Sequence, residues 1–524
     1  MAEIVDRERQ IARTEDLLRG GWELREKLMA DPQRPTYHLM PPAAWMNDIN
    51  GAVYWHGRYH VFYQHTPNMA HWDNIRWGHA SSVDLVHWVH HPIVLSPDPD
   101  GPDREGCFSG MIVDCDGVAT AVYHGNPDGM CLATSHDDDL ITWTKHPANP
   151  VIPVPKPGDA GFGEYRVYDP CAWREGDTWY ALCGHVRPEG RDTAYLFRSS
   201  DLVHWTFVRR FYEPRPEWTE QGEDCAVPTF FPLGDRYMLL FDSHKYGCQY
   251  YLGRYGDGVF VPEDHGRMNW AGGQLTAAMN MLDAEGRRLF LGWVCEARQD
   301  ATSRAAGWAG VMTLPRVLAL RDDGTLGIEP IPEIEVLRRD HQHHDGLALA
   351  ANAEVAIGEV RGDCLEIALR FAPHQADEVG LAVRCSPDGS ERTEIVYRAS
   401  DATLRIDTSR SSVSEDVVRP WPCPWGVMYA DPLEARVLPY HDEPVPIADV
   451  PVQIAPLRLS PGEVLDLRVF LDRSIIEVFA NGRQCITQRI YPSREDSLGV
   501  SLFARGGEAH LMQLDAWRMG PAGT

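Results

Sequence analysis

From Tyr37 onward the apolar side chains fall in short runs of Val, Tyr, Trp and Phe, such as AVYWHGRYHVFYQH and TWYALCGH, cut by Gly, Asp and Pro turns. Runs of this length between turn residues predict strands, and so an all-β body. A degenerate phrase punctuates them. SSVDLVHW ends at Trp88, SHDDDLITW at Trp143 and SSDLVHW at Trp205, 55 and 62 residues apart, with Asp, Leu and Trp at the same mutual spacing. Repeats of roughly 50 to 60 residues, each holding about four short strands, predict propeller blades. Five blades fill the span 36–335.

Beyond them, CLEIALRF, LDLRVFLD and SIIEVFANG alternate with the two-residue period of strands that have one buried face. They predict a β-sandwich over 350–524. Between the two lies IPEIEVLRRDHQHHDG, read as a linker over 336–349 with a short helical piece. Its His341, His343 and His344 are expected as exposed linker residues, since no cysteine or second ligand cluster is near in sequence. At the other end, Ile4, Ile11, Leu17, Leu18 and Leu24 are spaced for a surface helix within an extension of residues 1–35. Its apolar stripe packs either on its own body or against a second copy of the chain.

A chain of 524 residues is too long for one ordinary core, in keeping with two domains. Its 49 basic and 76 acidic residues give a formal charge of −27, which repels nucleic acid and anionic membranes. The charged N-terminus carries no secretory pattern, and no run of about 20 apolar residues occurs, so a cytoplasmic location is expected. The twelve cysteines stand singly, without C-x-x-C pairs, and are expected as buried thiols. No dinucleotide fingerprint, phosphate loop or zinc spacing is evident, so no cofactor and no metal is expected.

The chemistry is concentrated in a few segments. AAWMNDINGAVYWHGRYHVFYQHTP sets Asn47 and Asp48 just before a Gly turn and an aromatic strand. In a propeller the starts of inner strands line the central funnel, so a carboxylate here faces a ligand; an Asx-rich turn is the plain alternative. WMNDING followed by FYQH resembles the WMNDPNG signature of glycoside hydrolase family 32, the invertases and fructanases. HWDNIRWGHASSVDLVHW, CFSGMIVDCDG, VYDPCAWREGDTWYALCG, GEDCAVPTFFPLGD and LRVFLDRSIIEVFANGRQCITQRIYP are similar, in order, to further segments of that family. The resemblance runs from about residue 36 to 518.

The resemblance implies a five-bladed propeller, a β-sandwich and retaining cleavage of β-fructofuranosides such as sucrose, sucrose phosphate or short fructans. It makes Asp48 the nucleophile, Asp169 the stabiliser of an oxocarbenium-like state and Glu223 the acid/base. It places Asn47, Gln64, Trp72, Phe108 and Ser109 around the terminal fructosyl ring. Three departures stand out. Ile49 replaces a proline. Tyr168 replaces the arginine of R-D-P, with Arg166 two residues earlier as a substitute. Aligning PTFF on the family's P-D-F-F puts Ala226 at the acid, so Glu223 is expected on a longer loop, with Asp224 as the alternative. A fructosyltransferase or difructose-anhydride relative would use the same carboxylates. A sugar-binding propeller without catalysis is the reading of another class.

Overall fold

The computed structural model describes residues 25, 28–185, 190–372, 375–422 and 448–523. Five antiparallel sheets form the blades of a propeller, and two six-stranded sheets pack behind it as a sandwich. Blade I runs outward through Ala44–Trp55, Arg58–Thr66, Arg76–Ser82 and Trp88–Leu95. Blades II, III, IV and V begin at the inner strands Gly106–Cys115, Cys171–Glu175, Ala226–Leu233 and Leu275–Leu282. Inner strands are covered by neighbouring blades on both faces, so Ala44–Trp55 is almost wholly buried, its polar Asn47, Asp48 and Asn50 included. The outermost strand of blade III, Thr206–Arg210, lies mostly in solvent and is correspondingly polar.

The recurring phrase is the turn between the third and fourth strands of blades I, II and III. In each copy the leucine adopts a left-handed backbone (Leu85, Leu140 and Leu202), and the tryptophan indole donates to that leucine's carbonyl at 2.6 to 3.1 Å. The capping aspartate accepts backbone N–H groups of the turn: Asp84 from Val86 and His87, Asp201 from Val203 and His204. In the second copy the cap is Asp137, which accepts from Ile141 and Thr142, and not Asp139. The Leu-to-Trp spacing is therefore strict, whereas the aspartate has slipped by two residues.

The ring closes through the short strand Trp308–Ala309, contributed from the end of blade V, which pairs parallel with Ala44 and Trp45 at the inner edge of blade I. Gly310 follows at φ 83°, where a Cβ would lie 2.2 Å from the Met46 carbonyl oxygen, so only glycine lets the two backbones approach.

The segment 336–349 is not a linker. Arg338–Leu349 is a twelve-residue strand pairing with Ala509–Met519 in the first sandwich sheet. As an edge strand with mostly solvent-facing side chains it carries no apolar alternation, which is why its pattern reads as loop. His341 and His343 both bond one oxygen of Asp515, and His341 stacks on Trp517. The expected N-terminal helix falls largely on residues outside those described; Leu28, near its end, is buried in the propeller core. The described cysteines are free thiols, most of them buried, and among the described residues no helix is long and apolar enough to cross a membrane.

Propeller and sandwich share one apolar cluster, in which Phe470, Ile475, Phe479 and Tyr491 pack with Trp293, Leu314 and Ile334. Buried ions are set into this interface. His38 bonds Asp472 at 2.9 Å through Nδ1 and Glu477 at 3.0 Å through Nε2. Glu477 also receives the Arg316 guanidinium at 2.5 Å and the Leu314 N–H at 2.6 Å. Asp472 caps the backbone N–H groups of Thr36, Tyr37 and His38 where the chain enters blade I. A second knot joins Glu296 to Arg298, Arg489 and Tyr491.

Candidate active site

At the start of the inner strands the ladder slips at the same step in four blades: between Met46 and Ile49, Cys107 and Gly110, Ala226 and Thr229, and Thr276 and Met279. A bulge at this place turns successive side chains toward the axis instead of alternating them across the sheet. Asn47, Asp48, Phe108 and Ser109 stand in two of these bulges. In blade III, Asp169 precedes the inner strand with φ 39°, and Val227 and Ala277 share that left-handed geometry. For non-glycine residues this conformation costs of order 1–3 kcal/mol each and persists only where the surroundings impose it.

Asp48 is buried and held on both oxygens. Ser109 Oγ donates to Oδ2 at 2.5 Å, Gln64 Nε2 to Oδ2 at 3.3 Å and Asn47 Nδ2 to Oδ1 at 3.2 Å. The holders are themselves tied, since Asn47 donates to Gln64 Oε1 at 2.6 Å and receives the Trp45 indole N–H at 2.9 Å on its own oxygen. Burial raises Asp48 above the usual carboxylate range, against the pull of these donors and of the His244 charge. Asp169 is raised further, by burial first and then by the Asp48 charge, while His244 and the Val227 N–H oppose. Its Oδ1 is buried without a hydrogen-bond partner, an acceptor left open.

Glu223 and Asp224 diverge. Glu223 is fully buried, but its oxygens accept from Arg267 at 3.0 and 3.2 Å, Gln249 at 2.9 Å and the Glu220 N–H at 2.8 Å. Its charge is felt at Asp192 and Tyr246. Asp224 turns the other way and accepts from the His244 backbone N–H at 2.7 Å and faces His244 Nδ1 at 2.5 Å. The groups brought together electrically are therefore Asp48, Asp169, Asp224, Asp242 and His244. Asp242 is pushed up to about 7, by burial first, with the Asp48 charge adding and His244 opposing. For His244 burial alone would lower the pKa, but the charge and hydrogen bond of Asp224, with Asp242 and Asp169, raise it to about 9.

The sequence reading missed Asp242 and His244. Their signal was present in LLFDSH, where Asp242 breaks an otherwise apolar strand near its end and His244 follows in the turn.

Of the expected ring-binding residues, Trp72 packs edge-on to Phe108 at 5.9 Å, and Phe108 packs edge-on to Tyr168 at 6.4 Å. Tyr168 lies against His124, so the position of the family arginine is filled by an aromatic group. The Arg166 Nε is buried without a partner, while Nη1 donates to the Tyr165 carbonyl at 3.2 Å and the charge is felt at Tyr195.

The N-terminal domain model of glycosyl hydrolases family 32 matches residues 38–330, and the C-terminal model of that family matches residues 333–518. The chain belongs to glycosyl hydrolase family 32. This family 32 glycosidase is 32% identical over 514 residues to a sucrose-6-phosphate hydrolase of Escherichia coli, covering 93% of this chain and 95% of the relative. It is 30% identical to a raffinose invertase of the same species, again over 93% and 95% of the two chains. Among solved structures, fructan 1-exohydrolase IIa from Cichorium intybus superposes with a TM-score of 0.80 at 24% identity, covering 94% of this chain and 98% of that one. The family 32 relatives support a β-fructofuranosidase type of hydrolase.

Proposed function

We propose that this glycosidase cleaves a terminal β-fructofuranosidic bond with retention of configuration, with Asp48 as nucleophile and Asp169 as the carboxylate that steadies the oxocarbenium-like state. The observation that carries the reading is the clamp on Asp48. Three side-chain donors fix a buried carboxylate at the start of an inner strand, where a sugar in the funnel would present its anomeric C2. The attacking oxygen displaces the glycosidic oxygen, C2 flattens as positive charge develops, and a covalent fructosyl ester forms for water to resolve. Asp169, whose buried Oδ1 has no hydrogen-bond partner, would accept fructose hydroxyls and balance that charge.

Trp72 and Phe108 offer apolar edges and faces to the C–H surfaces of the ring, and Asn47, Gln64 and Ser109 the polar frame. Arg166 and Tyr168 stand on the blade III side. Glu223, the acid/base that the family resemblance implies, accepts from Arg267, Gln249 and the Glu220 N–H at the blade IV side. The preferred substrate belongs with sucrose, sucrose 6-phosphate and short fructans, the first two being closest to the named activities of the relatives.

A panel of sucrose, sucrose 6-phosphate, raffinose and inulin- and levan-type oligomers, followed by NMR during the first minutes of reaction, tests this. Release of β-fructofuranose before mutarotation is expected. Initial α-fructofuranose would refute retention, and binding of a fructoside without any product over days would establish a sugar-binding propeller.

A further inference from the structure

We infer that His341, His343 and Asp515 form a binding site for one divalent transition-metal ion of the zinc type, on the open edge of the first sandwich sheet. In sequence nothing near the histidines supplies a third ligand; strand pairing brings it from 172 residues away. His343 stands directly opposite Asp515 where Arg338–Leu349 pairs with Ala509–Met519. Alternate residues of a strand share a face, so His341 joins them from two positions earlier. Between Arg339 and Gln342 the ladder slips, with Asp340 at φ 49°. A bulge re-aims the side chains beside it, and the His341 ring lies flat on the Trp517 indole, 4.8 Å between centroids and 9° between planes.

Two ring nitrogens converge on one oxygen. His341 Nε2 lies 2.7 Å and His343 Nδ1 2.8 Å from Asp515 Oδ1, and the three atoms all lie within 4.8 Å of one another. Tetrahedral zinc, with bonds of about 2.0–2.2 Å to nitrogen and carboxylate oxygen, sets neighbouring ligand atoms roughly 3.3 Å apart, so small side-chain rotations admit the ion. Each ligand is already held from behind. Asp345 Oδ2 lies 2.8 Å from His343 Nε2, which keeps the ring proton there and leaves the Nδ1 lone pair for a metal. Gln513 Nε2 donates to Asp515 Oδ2 at 2.6 Å, so Oδ1 is the coordinating oxygen. Trp517 fixes the plane of His341. Outer partners of this kind orient metal ligands and are worth about 10- to 100-fold in affinity.

Hydrogen bonding alone does not account for this arrangement. Both histidines are about half exposed, at 50% and 42%, and ion pairs so open to water contribute little to stability. The same exposure gives an ion its path in. Two imidazoles with one carboxylate suit zinc, nickel or copper, whereas magnesium and calcium call for oxygen ligands throughout. Three protein ligands leave a fourth position for water. The edge lies four strands from Ile475–Ala480, where Ile475 and Phe479 pack with the propeller. The ion therefore acts as a clip that ties the strand entering the sandwich to Ala509–Met519, and takes no part in cleavage.

Equilibrium dialysis of the full chain, first stripped with EDTA, against Zn²⁺ tests the site, with bound metal counted by plasma mass spectrometry. One ion per chain is expected at micromolar free Zn²⁺, together with a higher urea midpoint, and none with Mg²⁺ or Ca²⁺. His341→Ala and His343→Ala are each expected to weaken uptake at least about tenfold, and Asp345→Ala, which removes no ligand, by about tenfold. Turnover of sucrose should be the same with EDTA as without it. Zinc-edge X-ray absorption of the loaded, unaltered chain should show two imidazole ligands, a reading that needs no variant to fold. No stoichiometric uptake, uptake that survives the double variant His341→Ala, His343→Ala, or sulfur among the zinc ligands would overturn the site, and EDTA-sensitive turnover would overturn its part as a clip.

Discussion

Asp48→Ala is expected to lower kcat on every fructoside by at least about 10⁴-fold, including an activated aryl fructoside that spares an acid/base variant. The reason is that the leaving group's quality helps only if something receives C2, and the clamped Asp48 carboxylate is the group proposed for that part. Ser109, Gln64 and Asn47 would remain, holding an empty space the size of a carboxylate. Azide fits such a space and would attack from the vacated side, giving the α-fructosyl azide, whereas an acid/base variant gives the β product from an intact intermediate. Finding less than tenfold loss for a folded Asp48→Ala, by steady-state assay on sucrose and the aryl substrate, would refute its role.

Glu477→Ala is expected to cost about 3–5 kcal/mol of stability, read as a lower urea midpoint, although Glu477 lies in the sandwich. Its carboxylate is the shared counter-ion of Arg316 and His38 and the acceptor of the Leu314 N–H, all buried. Removing it strands a guanidinium that burial would otherwise penalise heavily. The double variant Arg316→Met, Glu477→Leu should recover much of the loss, because no unpaired charge remains. Insensitivity of the midpoint to Glu477→Ala would refute this account.

The same network sets a pH window. Burial would lower His38, but Asp472 and Glu477 raise it above its ordinary value. Burial would raise Asp472 and Glu477, but His38 and Arg316 hold them below the carboxylate range. The carboxylate contribution is therefore present above an unfolded pKa of about 4 and lost as pH falls through the depressed folded values. The His38 contribution is complete below about 6.5 and lost as pH rises through its raised folded value. Urea midpoints measured across pH should fall at both ends, and Glu477→Ala should flatten the acid side.

Much of this was legible in the residues. Strand texture and the Leu-to-Trp turns marked the blades, because a buried turn that needs an indole to close it leaves a fixed spacing. Asp48 was legible because its holders, Asn47 and Gln64, sit on the same hairpin and travel with it in sequence. Arg338–Leu349 was not, since a polar edge strand is paired by backbone alone and shows no apolar alternation. The pairing of Asp224 with His244 was hidden for another reason. Asp224 and His244 lie twenty residues apart on different elements, and only the blade's hairpin brings them together. Asp472 and Glu477 stood in a recognised sandwich motif, but their work is on the far side of a domain interface that sequence spacing does not report.

The parallel pairing of Trp308 and Ala309 with Ala44 and Trp45 makes the seam of the ring and the root of the proposed nucleophile one structure. Asp48 is three residues from Trp45, whose indole secures Asn47. A propeller fastened elsewhere could breathe at its clasp while its catalytic groups stayed aligned. Here the clasp cannot loosen without tilting the strand that carries Asp48, so seam opening and inactivation are expected as a single event. Amide exchange at Trp45 and Met46 should thus track the loss of turnover during denaturation, ahead of the outer strands of every blade.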